Sequence, residues 1–97
     1  MEIGTSVDIK TYSNLDELLK DAIKHNCLLA EGLDSALFGI YFGSKQPLAV
    51  YEIEKCIRVL QKEGRLGYLD AYEHFYYNIL NTYLGESTPL YISNRSH

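Results

Sequence analysis

Leu15, Leu18, Leu19, Ala22 and Ile23 recur at i, i+3, i+4, i+7 and i+8, a spacing that lays one apolar stripe along a helix. Ser13, followed three residues later by Asp16, approximates a capping box, so a first helix is expected over about 14–25, ending near Lys24-His25-Asn26. Upstream, between Ser6 and Tyr12, Val7 and Ile9 alternate with Asp8 and Lys10, the period of two that marks a short half-buried strand or an extended arm. Ala36 to Phe42 is rich in aromatic and β-branched residues and reads as a central strand. Gly43-Ser44-Lys45-Gln46 supplies turn chemistry, and Pro47 to Tyr51 returns antiparallel, giving a hairpin over about 36–51.

From Glu52 the period lengthens to 3.6, with Ile53, Cys56, Ile57 and Leu60 on one face and Glu54, Lys55, Arg58 and Lys62 on the other. Gly64 stops this second helix, expected over about 52–63. A third, over about 68–84, starts after Gly67 and runs to Gly85, whose missing Cβ suits the left-handed conformation that closes a helix. Thr88-Pro89-Leu90-Tyr91-Ile92 reads as a last strand, with Pro89 at an edge or at the strand's first position, and residues 93–97 as a frayed tail. The expected fold is α+β: a small three- to four-stranded antiparallel sheet, the hairpin plus strand 88–92, packed with three helices.

The third helix carries the most information. Leu69, Ala71, Tyr72, Phe75, Tyr76, Ile79, Leu80, Tyr83 and Leu84 cover well over half of its circumference, more than one packing face of a small domain needs. Such a helix wants two covers: its own sheet and helices on one side, and a second copy or a foreign protein on the other. Tyrosine also tolerates half-exposure, because its hydroxyl reaches water while its ring stays apolar. Asp70, His74, Tyr77 and Asn81 share the polar face. Tyr77 stands outside the stripe, the kind of rigid amphipathic contact that interfaces favour, or else a ring lying over the neighbouring turns. Glu73, His74, Tyr76, Tyr77 and Leu80 are therefore the candidate interaction residues, and Phe75, Asn78 and Gly85 the structural ones. Asn78 is expected to satisfy a nearby turn or strand backbone with its amide.

At 97 residues the chain is one domain, 1–97, without room for a barrel or a full doubly wound sheet. With 46% hydrophobic and 23% charged residues it can bury enough apolar surface to fold. Nine basic against thirteen acidic residues give a net charge of −4, and the one basic cluster, Lys55, Arg58, Lys62 and Arg65, is diluted by Glu52, Glu54 and Glu63, so no direct nucleic-acid binding is expected. Nor is membrane insertion, since no segment approaches the roughly 20 apolar residues a bilayer requires. Met1-Glu2-Ile3-Gly4 shows neither the basic stretch nor the apolar core of a secretory signal, which leaves Cys27 and Cys56 as two buried reduced thiols.

Candidate chemistry is sparse. His25, Cys27, Cys56 and His74 lack the paired spacing of metal ligands, so neither metal nor cofactor is expected. Asp70 and His74, at i and i+4 with Glu73 beside them, could orient an imidazole for general-base work, although on an exposed helix the same pair is a weak ion pair. No nucleophile elbow or phosphate-cradling loop is present.

A further signal lies in Ala30-Glu31-Gly32 with Asp34 and Ala36-Leu37, in Val50-Tyr51-Glu52 with Lys55, Ile57 and Leu60, in Asp70-Ala71 with Glu73, Phe75, Asn78 and Ile79, and in Tyr83-Leu84-Gly85-Glu86 with Thr88-Pro89-Leu90-Tyr91. Across Glu31 to Ile92 the sequence resembles a family of small tailed-bacteriophage proteins that has no established activity. It departs between Gly64 and Leu69, where related chains tend to carry a serine or threonine cap and this one has Gly67-Tyr68, so a looser start to the third helix is expected. The resemblance implies a phage origin and a host-cell cytoplasmic setting. Together with the wide aromatic stripe it leads to the expectation of a noncatalytic phage accessory protein that acts by protein contact, with a host or phage partner or with itself. The alternatives are a small enzyme or ligand-binding module using His74 with Asp70 or Glu73, and a virion or assembly component.

Overall fold

Asn14, one residue later than the sequence suggested, opens the first helix of the computed structural model, which describes residues 8–93. Asn14 holds extended backbone angles and its Oδ1 accepts the Glu17 N–H at 2.9 Å, while Ser13 Oγ donates to Glu17 Oε1 at 3.1 Å. The helix α1 (Leu15–Lys24) buries Leu18 and Ala22 and leaves Leu15 and Ile23 exposed, so its working face is narrower than its apolar stripe. Before it runs β1 (Ile9–Lys10), within the expected stretch; Ser6 and Val7, like the tail from Asn94 on, lie outside the described residues.

The hairpin forms as β2 (Leu37–Tyr41) and β3 (Leu48–Glu52), then come α2 (Ile53–Gly64), α3 (Tyr68–His74) and β4 (Leu90–Ile92). Among the described residues these strands form one four-stranded sheet in the order β1-β2-β3-β4. The first two pairings are antiparallel, as expected, but β4 runs parallel to β3, with Val50 opposite Leu90 and Glu52 opposite Ile92. The expectation of a wholly antiparallel sheet is corrected by the connection: a parallel return needs a crossover of a dozen or more residues, and α2 and α3 supply one. Pro89 sits just before this edge strand, where its missing N–H interrupts no ladder bond.

A β-bulge between Leu37 and Gly39 sets which side chains reach the core. In a regular strand Leu37 and Ile40 would point to opposite faces; the extra residue turns both towards one apolar cluster, with Ala49 and Tyr51 of β3, Leu18 and Ala22 of α1, Cys56 and Ile57 of α2, and Ala71 and Phe75 beyond. Gly39 is required at that point: a Cβ there would stand 2.4 Å from the Lys10 backbone oxygen of β1. Gly39→Ala should push β1 off the sheet and lower stability by about 1–3 kcal/mol, read as a melting temperature roughly 10 °C lower. A melting temperature within 2 °C or so of the parent would show that β1 is not held at this distance.

Tyr51 is fully buried and still satisfied, because its Oη accepts the Ala30 N–H at 2.8 Å and so fastens the loop after α1 to the sheet. Cys56 is buried as expected and Cys27 is half-buried, with its thiol 3.6 Å from the Pro47 carbonyl; both are free. The second helix begins after Glu52, whose carboxylate belongs to β3 and lies 3.3 Å from Lys55 Nζ.

Candidate interaction surface

The helix α3 starts on Gly67, which has extended backbone angles and makes no side-chain capping bond, while its carbonyl accepts the Ala71 N–H at 3.0 Å and closes the first turn. Ala71 and Phe75 are its anchors, both fully buried. The Phe75 ring meets Tyr91 of β4 edge-on at 5.3 Å and Tyr76 edge-on at 5.5 Å, which couples the helix to the last strand.

From Phe75 the helix widens into a π-helical turn, Phe75–Leu80. Its i to i+5 register sets Leu80 beneath Phe75, so that both Ile79 and Leu80 pack against the core. The wide turn ends at Asn81, with Thr82 Oγ1 donating to the Asn78 carbonyl at 2.8 Å. The expected helix to residue 84 is thus four residues too long, and Gly85 does not close it. Gly85 instead opens a short 3₁₀ turn, Gly85–Ser87, at φ +86°, and Thr88 braces that turn by donating to the Gly85 carbonyl at 2.6 Å and accepting the Leu84 N–H at 2.8 Å.

The outward side of α3 is not covered by the described fold. Tyr77 is 75% exposed and Leu69 66%, and beyond the helix Tyr83 is 78% exposed. Tyr68, Tyr72 and Tyr76, at i, i+4 and i+8, form a ring-to-ring row with centroids 6.2 Å and 4.5 Å apart. Tyr68 Oη donates to Glu54 Oε2 of α2 at 2.8 Å, a bond that raises the phenol's pKa. Of the expected interaction residues, Glu73, His74 and Tyr77 are exposed, whereas Tyr76 and Leu80 are half-buried because the π turn draws them inward. Tyr68 was not part of the apolar stripe and Leu69 was not singled out within it, although the four-residue tyrosine spacing was legible.

His74 and Asp70 do not pair. The imidazole Nδ1 lies 3.3 Å from the Asn78 side-chain nitrogen, on an exposed helix face. Asn78 accordingly spends its amide on a ring of its own helix and not on a turn or strand backbone, which corrects the structural role expected for it. Two shallow depressions, of about 490 Å³ and 350 Å³, lie on the α1 side, and neither is lined by Asp70, Glu73 or His74. The larger contains a cluster that sequence reading missed. Tyr12 donates to Asp21 Oδ2, Lys10 Nζ lies 3.9 Å from the same oxygen and His25 Nε2 3.7 Å from Oδ1. The Tyr12 bond, ahead of the nearby cations, lowers the Asp21 pKa. Local spacing announces only the Asp21–His25 pair, at i and i+4; Lys10 and Tyr12 join it through tertiary packing against α1.

No group of three or more potential metal ligands occurs among the described residues, and no helix there is long and apolar enough to cross a membrane. Comparison with protein-family models, with curated proteins and with solved structures found no match.

Proposed function

We propose that this protein is a noncatalytic phage accessory protein, working in the cytoplasm of the infected host by protein–protein contact through the outward face of α3. The observation that carries the reading is the exposure of Leu69 and Tyr77 on a helix already anchored from within by Ala71 and Phe75. A folded chain gains nothing for its own core from a leucine left two-thirds in water, and rigid aromatics beside it are the usual material of a contact surface. The phage setting rests on the resemblance across Glu31 to Ile92. Binding, not catalysis, is the better reading of His74, because its ring is committed to Asn78 and stands apart from Asp70.

The test is co-purification from phage-infected cells of the tagged protein and of a Leu69→Ser/Tyr77→Ala variant, with circular dichroism to show that both are folded. The parent should retain a stoichiometric partner, a second copy or another protein, that the variant loses. Equal retention by both would remove this face from the function.

A further inference from the structure

We infer that the occupant of this face is a basic segment of another protein, one that presents arginine or lysine beside apolar side chains. The inference rests on the proposed contact role of α3 and adds the chemistry of the partner.

The anchors of α3 fix which side of it faces out. Ala71 and Phe75 are fully buried, so the side half a turn round from them points to solvent, and there the exposed Glu73 stands between Leu69 and Tyr77, about a turn away on either hand. Along the border nearer α2 runs the row Tyr68, Tyr72, Tyr76, whose first two rings are 45% and 39% exposed. Tyr68 Oη donates to Glu54 Oε2 at 2.8 Å, which fixes a second carboxylate against the row and leaves its negative charge in place. Asp70, also exposed, lies along the other border. Three carboxylates thus surround an aromatic and apolar strip.

No cation of the described fold answers them. Between Leu66 and Ser93 the chain has neither lysine nor arginine. Lys55, next to Glu54 in sequence, is turned to Glu52 at 3.3 Å, and Glu54, Asp70 and Glu73 form no ion pair among the described residues.

Covering this strip with an apolar or acidic surface would take water from carboxylates and give nothing back. A partner that brings guanidinium or ammonium groups compensates them, and the exposed tyrosine faces accept the same groups by cation–π contact. Leu69 and Tyr77 then receive the partner's aliphatic residues and the stems of its basic side chains. A second copy docked by two-fold symmetry through this face would set Glu73 against its own counterpart, and a phosphate backbone would meet the same negative charge.

Amide NMR of the purified, isotope-labelled full chain, titrated with synthetic peptides, decides it. The probe is an alanine-based helix of about twelve residues with arginines and leucines together on one face, and its counterpart carries glutamates for the arginines. The arginine peptide should shift the amides of α3 and of the start of α2 and saturate below roughly 1 mM, while the glutamate peptide binds at least about tenfold more weakly. Glu73→Gln and Glu54→Gln should each weaken the arginine peptide roughly threefold to tenfold. Asp8→Asn removes the same charge from an exposed site beside β1, at the opposite edge of the sheet from β4, and should leave binding unchanged. All three positions are exposed, so circular dichroism of the variants should match the parent. A chain that binds neither peptide at that concentration, binds both alike, or responds to Asp8→Asn as it does to Glu73→Gln overturns the inference. So does a free protein whose α3 amides shift on dilution, because a second copy would then hold the face. Failure here is separable from failure of the contact role: a co-purified partner lost on Leu69→Ser/Tyr77→Ala, with no binding of the arginine peptide, would keep the face and exclude only the basic chemistry.

Discussion

Phe75→Ala should cost about 3–5 kcal/mol, a large share of the total stability of a domain this small. The ring is fully buried, it contacts Tyr91 and Tyr76 edge-on, and it lies where the helix widens, so its removal opens a cavity at the joint between α3 and β4. Chemical denaturation should show a much lower midpoint, with the slope unchanged if the transition stays two-state. Tyr77→Ala, two positions along the same helix, provides the contrast: at 75% exposure it should alter stability by no more than about 0.5 kcal/mol when measured on dilute protein. Equal losses at the two positions would mean that the division between anchored and outward faces is wrong.

Alkali should unfold the protein cooperatively between about pH 9 and 12. Burial pushes the Cys56 thiol and the Tyr51 and Tyr91 phenols up to about 12. At Tyr51 the Ala30 N–H opposes the rise, and burial outweighs it. Each group keeps its proton more tightly when folded than when unfolded, where a thiol titrates near 8.5 and a phenol near 10. The stability they contribute is therefore whole below the unfolded values and drains away as pH climbs towards the folded ones. For Cys56 alone the loss is on the order of 5 kcal/mol. Far-ultraviolet circular dichroism and tyrosinate absorbance should change together, and Cys56→Ala should move the midpoint to higher pH relative to its own neutral stability. Gradual tyrosine ionisation with the helices intact would contradict the burial of these groups.

Periodicity located every element that periodicity can locate. The hairpin and the changes of period at α1 and α2 are local properties, and each lies within a residue or two of where the spacing put it, while β1 is a two-residue piece of the longer alternating stretch expected. The failures share a different cause. The direction of β4 is set by the α2–α3 crossover and not by anything within Leu90–Ile92. The early end of α3 is set by the π turn, which satisfies the core with Ile79 and Leu80 and leaves Tyr83 and Leu84 outside the helix, although their spacing continues the stripe. The cluster around Asp21 has His25 as a local i+4 neighbour, but Lys10 and Tyr12 reach it only through the packing of the chain at and after β1 against α1. At the candidate surface the excess of apolar circumference was legible, because it needs only a count around a helix. Which part of it would face outward was not, because that depends on how Phe75 seats.

The parallel pairing of β4 with β3 also bears on how the protein is made. Val50 waits for Leu90, which is synthesised forty residues later, so the sheet acquires its last member only when nearly the whole described chain has left the ribosome. Until then the aromatic joint of Tyr51 and Phe75 lacks Tyr91, and a nascent chain shortened before Leu90 exposes a hydrophobic seam along β3. The last pairing of the sheet is therefore gated by Leu90–Ile92, which become available only after α2 and α3.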